Sequence, residues 1–178
     1  KKSDAMSRLR AMVALAFVLA VQLCCAQLNT RRVMEIGRNA LYFEDYVLSI
    51  QYFNQVIEAK PFLHEPYFYR ALAKFYLEDY TGAELDLDMA IELDTTNTFA
   101  YFNRAIMQYE QENYREAMKD LNRVLQDEPG NALTLYNRGL ISAQLGAYDE
   151  ALNDMDTVLN INPENVLAYF NRASIFIE

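Results

Sequence analysis

The triplet Asn-Arg-small recurs along this chain at a spacing that few folds can accommodate. It ends at Ala105, Gly139 and Ala173, 34 residues apart each time, and a close copy, YRA, ends one period upstream at Ala71. A fixed period of this length marks a stack of one repeated supersecondary unit. The blocks align without a gap as 30–63, 64–97, 98–131 and 132–165, followed by a partial 166–178. Position 17 of every complete block is Tyr (Tyr46, Tyr80, Tyr114, Tyr148). Position 8 is Gly37, Ala71, Ala105, Gly139 and Ala173, and position 20 is Ser49, Ala83, Ala117 and Ala151. Small residues at fixed places are what two helices need where their backbones approach.

Each block carries two stretches of helical apolar period. In 132–165 these run through Leu135, Gly139, Ile141 and Ala143, then through Ala151, Leu152, Met155, Val158, Leu159 and Ile161, with LGAYDE between them. Pro61, Pro129 and Pro163 end three of the four blocks at position 32, where the second block has Thr95. Every block therefore reads as a helical hairpin that buries its apolar faces only by stacking on its neighbours.

From about Thr30 onward these residues resemble the tetratricopeptide repeat family. The resemblance rests on the period, the small residue at 8, Tyr at 17, Pro at 32, and Ala-x-x-x-large at 20 and 24 (Ala83/Leu87, Ala117/Leu121, Ala151/Met155). It implies an all-α fold, a right-handed α-solenoid of stacked helical hairpins. Two departures concern the subfamily rather than the fold. Position 4 has no Trp but Val33, Tyr67, Tyr101, Leu135 and Tyr169, and position 11, often Tyr in the family, is Ala40, Lys74, Gln108, Ser142 and Phe176.

Position 7, usually Leu in the family, is Arg70, Arg104, Arg138 and Arg172 here. A guanidinium on a packing face needs a carboxylate, because an unpaired buried charge costs several kcal/mol. Position 23 offers one in the same blocks, as Asp86, Asp120 and Asp154, and in the first block both change together, to Ile36 and Tyr52. This joint replacement points to ion pairs across the two helices. Pairing with the preceding block, Arg104 with Asp86 and Arg172 with Asp154, is an alternative, and recognition of a ligand carboxylate is a second.

The family resemblance implies that positions 2, 5, 6, 9, 12 and 13 line a groove for extended peptides. Carried onto this chain, the partner-binding residues are Phe68, Tyr69, Phe102, Asn103, Tyr136, Asn137, Phe170 and Asn171. Packed helices lie about 8 to 10 Å apart and an extended strand rises about 3.3 Å per residue, so an Asn could meet a peptide amide about every third residue. Asn both donates and accepts. The aromatics could equally pack between adjacent first helices. Position 2 holds Arg31, Glu65, Phe99, Leu133 and Leu167, so no basic clamp for a terminal carboxylate forms; Arg31 and Arg38 put a positive spot at one end.

The first 26 residues differ in kind. A basic stretch precedes the apolar run Ala11 to Leu23 and then CCAQ, which reads as a secretory signal peptide cleaved between Ala26 and Gln27, with Lys1 to Ala5 a remnant ahead of Met6. Thirteen residues are too few for a bilayer core, which takes about 20. A lipid anchor on Cys24 or Cys25 and an uncleaved signal anchor are the rival readings. Cleavage would remove both cysteines and leave 27–178 as the array, exported to the periplasm of a Gram-negative cell or secreted. Of 16 basic and 25 acidic residues, four basic (Lys1, Lys2, Arg8, Arg10) and one acidic (Asp4) fall in the first ten positions. The remainder carries 12 against 24, a net of -12, which repels nucleic acid.

No nucleophile motif, phosphate loop or metal spacing stands out, and the one histidine, His64, sits at a block boundary. The expectation is a non-catalytic chain with no catalytic, cofactor or metal residues. Acid pairs before the second helices (Glu44/Asp45, Glu78/Asp79, Asp149/Glu150) read as helix capping. Val166 to Glu178 gives one apolar helix with no second helix to cover it, which predicts self-association or a longer protein. Two functions follow: a scaffold that binds proteins or extended peptides, or the sensing or targeting arm of a larger enzyme or signalling protein.

Overall fold

Tyr at position 17 and the apolar period on either side of it divide each block at the same point, and the helices start accordingly. The computed structural model describes residues 12–13 and 30–177; the predicted signal segment, 1–26, lies outside the described residues except for Met12 and Val13. Among the described residues every regular element is α-helical. The helices are α1 (30–42), α2 (Tyr46–Ala59), α3 (His64–Tyr76), α4 (Tyr80–Leu93), α5 (Thr98–Glu110), α6 (Tyr114–Asp127), α7 (Ala132–Gln144), α8 (Tyr148–Ile161) and α9 (Val166–Ile175). First helices thus begin at position 1 of a block and second helices at position 17. Among the described residues no helix is long and apolar enough to cross a membrane.

The chain divides into two compact units at Phe62/Leu63. In the first unit α1 and α2 form one hairpin. The Phe53 ring is fully buried and fills the notch at Gly37, where an added Cβ would lie 2.8 Å from it. In the second unit α3 packs on α4, α5 on α6 and α7 on α8; α4, α6 and α8 each pack on the helix that follows. First helices also touch, α3 with α5 and α7 with α9. The core is the small and large pair the sequence repeats: Ala83, Ala117 and Ala151 at 0% exposure, beside Leu87, Leu121 and Met155 at 0%.

Local signals fix the helix ends. Asn97, Asn131 and Asn165, all at position 34, accept the backbone N–H of position 3 at 3.1, 3.0 and 3.0 Å and so cap α5, α7 and α9. Asp45 and Asp79 do the same for α2 and α4, from Leu48 at 3.2 Å and Gly82 at 2.9 Å. Their acidic neighbours have another role. Glu44, Glu78 and Glu112 adopt φ of 63°, 62° and 61°, the left-handed conformation that turns the chain between helices. In the fourth block that place, position 15, belongs to Gly146, at φ 76°. Asp149 and Glu150 stand in the first turn of α8, whose N-cap residue is Ala147, so they favour the helix dipole rather than bonding as caps.

Candidate functional site

The arginine at position 7 of α3, α5 and α7 and the aspartate at position 23 of the same hairpin meet as two-pronged pairs. Arg104 donates from Nε and Nη2 to the two oxygens of Asp120, both at 2.7 Å. Arg138 donates likewise to Asp154 at 2.8 and 2.7 Å. Arg70 Nε reaches Asp86 at 2.8 Å with Nη2 on the other oxygen. Asp86, Asp120 and Asp154 are 4%, 5% and 2% exposed, and parallel forks of this kind are the stronger form of the contact. Burial pushes the Asp120 carboxyl up against the pull of Arg104, while Asp120 and then Asp88 raise Arg104 and hold it charged. Tyr67 and Tyr101, at position 4, lie under these guanidinium groups at 5.6 Å from the ring centre.

The position 7 arginines Arg104, Arg138 and Arg172 also reach backwards. Arg104 Nη1 donates to Asp88 at 2.6 Å, Arg138 Nη1 to Asn122 at 2.9 Å, and Arg172 Nε lies 3.0 Å from Asp156. These partners occupy position 25 of the preceding block. The bolt therefore closes its own hairpin through position 23 and ties it to the previous one through position 25. Asp86 and Asp154, the position 23 alternatives in the preceding blocks, are bonded within their own hairpins.

The expected partner-binding residues stand at positions 5 and 6 of the first helices. Asn103 and Asn137 each donate from Nδ2 to the carbonyl four residues back, Phe99 and Leu133, at 2.8 Å. That bond uses one amide hydrogen and fixes the side chain, leaving a second N–H and the oxygen. Asn171 instead donates to the Tyr136 hydroxyl at 2.6 Å. Phe68 and Tyr69 meet edge to face at 5.3 Å. Phe102 and Tyr136 are half-buried and pack on the cores of their hairpins, whereas Phe170 is 68% exposed.

Exposed apolar side chains recur at position 2 of successive blocks. Phe99 is 72% exposed, Leu133 59% and Leu167 63%. Two clefts use them in the same way. One, of about 320 Å³, is lined by His64, Glu65, Phe68, Tyr69, Asn97 and Phe99. The other, of about 210 Å³, lies one repeat later between Phe99, Phe102, Asn103, Glu128 and Leu133. The sequence reading placed position 2 in the groove but did not count its side chains among the partner-binding residues; three consecutive apolar residues there were the signal. Arg31, at position 2 of the first block, is exposed and lies 3.6 Å from Glu35 on its own helix.

His64 is within 3.4 Å of Asn97 and 3.7 Å of Asp94, at the bend between hairpins. Among the described residues no group of three or more His, Cys, Asp or Glu side chains converges in a way that could hold a metal ion.

Residues 104–175 match the family model for the tetratricopeptide repeat. No curated protein sequence matches the chain. Among solved structures, the MamA protein is 22% identical with a TM-score of 0.78, over 83% of this chain and 80% of its own. PilF of Pseudomonas aeruginosa is 19% identical with a TM-score of 0.76, over 85% of this chain and 69% of its own. The first tetratricopeptide domain of Spaghetti (RPAP3), solved with the HSP90 peptide SRMEEVD, is 28% identical with a TM-score of 0.64, over 66% of this chain and 93% of its own. The fold is thus that of tetratricopeptide arrays, repeats that typically mediate protein–protein interaction.

Proposed function

We propose that this chain is a non-catalytic scaffold whose first-helix face takes an extended protein segment, outside the cytoplasm if residues 1–26 act as an export signal. The observation that carries the proposal is the pair of clefts at Phe99 and Leu133, repeated by one block and each close to an Asn or Tyr at position 6. Adjacent first helices about 8 to 10 Å apart match about three residues of extended chain. The preferred segment therefore places two apolar side chains three residues apart, with its backbone offered to the held amide of Asn103. The Spaghetti domain was solved with an acidic peptide. Here Glu65 and Glu128 flank the clefts and position 2 carries no cation from the second block onward, so a neutral or basic segment fits better.

The test is selection from a displayed random heptapeptide pool, with SRMEEVD titrated in parallel. Peptides with apolar residues at i and i+3 should be enriched and SRMEEVD should not bind. Phe99→Ser with Leu133→Ser should lose the selected peptides, and changing Asn103, Asn137 and Asn171 to Ala should weaken them. Enrichment of acidic C-termini, or equal capture by the Ser variant, would reject the proposal.

A further inference from the structure

Position 11 of the first helix is filled differently in successive repeats. In the hairpin of α3 and α4 it is Lys74, whose ammonium sits 2.8 Å from Asp86 and donates to the Gly82 carbonyl at 3.1 Å. In the next it is Gln108, which donates to Glu84 of the preceding block at 2.9 Å. In the hairpin of α7 and α8 it is Ser142, 1% exposed, whose hydroxyl has no hydrogen-bond partner among the described residues. A cavity of about 480 Å³ opens beside it.

The charge around that cavity also differs. Arg138 faces three carboxylates there, Asp149, Glu150 and Asp154, of which only Asp154 is paired with it. Asp149 and Glu150 occupy the places of Thr81 and Gly82, and Ser142 that of Lys74. At these three places one repeat thus has a cation and two neutral residues, and the other a buried hydroxyl and two anions, its acid pair standing three places further on than Glu78 and Asp79. Met118 contributes an apolar wall. The carboxylates do not converge closely enough to hold a metal ion among the described residues.

We infer that the cavity between Ser142, Asp154 and Glu150 is a binding site for a primary ammonium on an alkyl stem, the group a partner's lysine side chain presents. Lys74 shows the geometry such a group takes in the equivalent place: its ammonium on the position 23 carboxylate and on a position 19 carbonyl. In the fourth hairpin the incoming ammonium meets Asp154, the Ser142 hydroxyl and the field of Asp149 and Glu150, while its stem lies along Met118. This site is separate from the position 2 clefts and stands whether or not those bind a peptide.

The experiment titrates the full chain with Nα-acetyl-lysine N-methylamide and follows backbone amide resonances. The norleucine analogue, which has the stem without the charge, is the control. Saturable shifts at Ser142, Glu150 and Asp154 with the lysine probe alone are expected. Ser142→Lys, which reproduces the Lys74 arrangement, should abolish them. Glu150→Gln, an exposed change that leaves packing untouched, should weaken binding about two- to fivefold, the range of a partly screened charge contact. Equal shifts with norleucine, no shifts at these residues up to the solubility of the probe, or unaltered binding to either variant would overturn the inference.

Discussion

The hairpin of α1 and α2 and the three that follow solve one problem in two ways. Where α3, α5 and α7 send an arginine to an aspartate on the second helix, the first hairpin has Ile36 and Tyr52. Where the later hairpins seat Leu87, Leu121 or Met155 at position 24, the first seats the Phe53 ring against Gly37. The backbone unit tolerates either an ionic or an aromatic filling. It follows that the Arg–Asp pair is not required by the helical hairpin as such. It determines which hairpins can carry a charge inside, and through position 25 it joins consecutive ones.

The largest expected effect comes from breaking a bolt. Arg104→Leu leaves Asp120 buried without its counter-ion and should lower unfolding stability by about 3 to 5 kcal/mol in urea titrations. Adding Asp120→Leu should restore most of it, since it recreates the apolar solution of the first hairpin. A single-variant loss below about 0.5 kcal/mol would erase the distinction between the two kinds of hairpin.

Next is the notch in the first hairpin. Gly37→Ala drives a methyl into a fully buried ring and should cost about 1 to 3 kcal/mol, with Phe53→Leu recovering much of the loss because later hairpins pair Ala with Leu. Gly139→Ala should cost less, about 1 kcal/mol, because its nearest neighbour is the flexible end of Met155, 2.8 Å away. Equal losses at the two glycines would mean that ring rigidity is not what separates them. The smallest effect is a gain. Glu78→Gly or Glu112→Gly removes a left-handed side-chain penalty and should stabilise by about 0.5 kcal/mol after the added chain entropy, measured by thermal unfolding.

The period, the helix starts and the four-block register were legible because packing repeats the same small and large residues in every unit. The bonded partners of Arg70, Arg104 and Arg138 were legible for a narrower reason: one block replaces both members at once. Position 25 escaped notice because its residues vary, Asp88, Asn122 and Asp156 all serving an arginine hand with a spare N–H. The left-handed glutamates were hidden too. Glu has no local preference for that conformation, and only Gly146 in the fourth block hinted at what the place demands. The size match of Gly37 with Phe53 and Gly139 with Met155, against Ala with Leu elsewhere, was present in the sequence as paired variation and needed the contact to give it meaning.

The proposed function divides the labour within one short phrase, YFNRA at residues 101–105: the arginine builds the array, and the face carrying Phe102, Asn103 and the neighbouring Phe99 would meet the partner. The direct measurement is the affinity of a selected heptapeptide for three proteins under conditions where all are folded: the unaltered chain, Arg104→Leu with Asp120→Leu, and Phe99→Ser with Leu133→Ser. The bolt variant should bind within about twofold of the unaltered chain and the face variant at least tenfold more weakly, a difference of about 1.4 kcal/mol. An equal loss in both variants would contradict the claim.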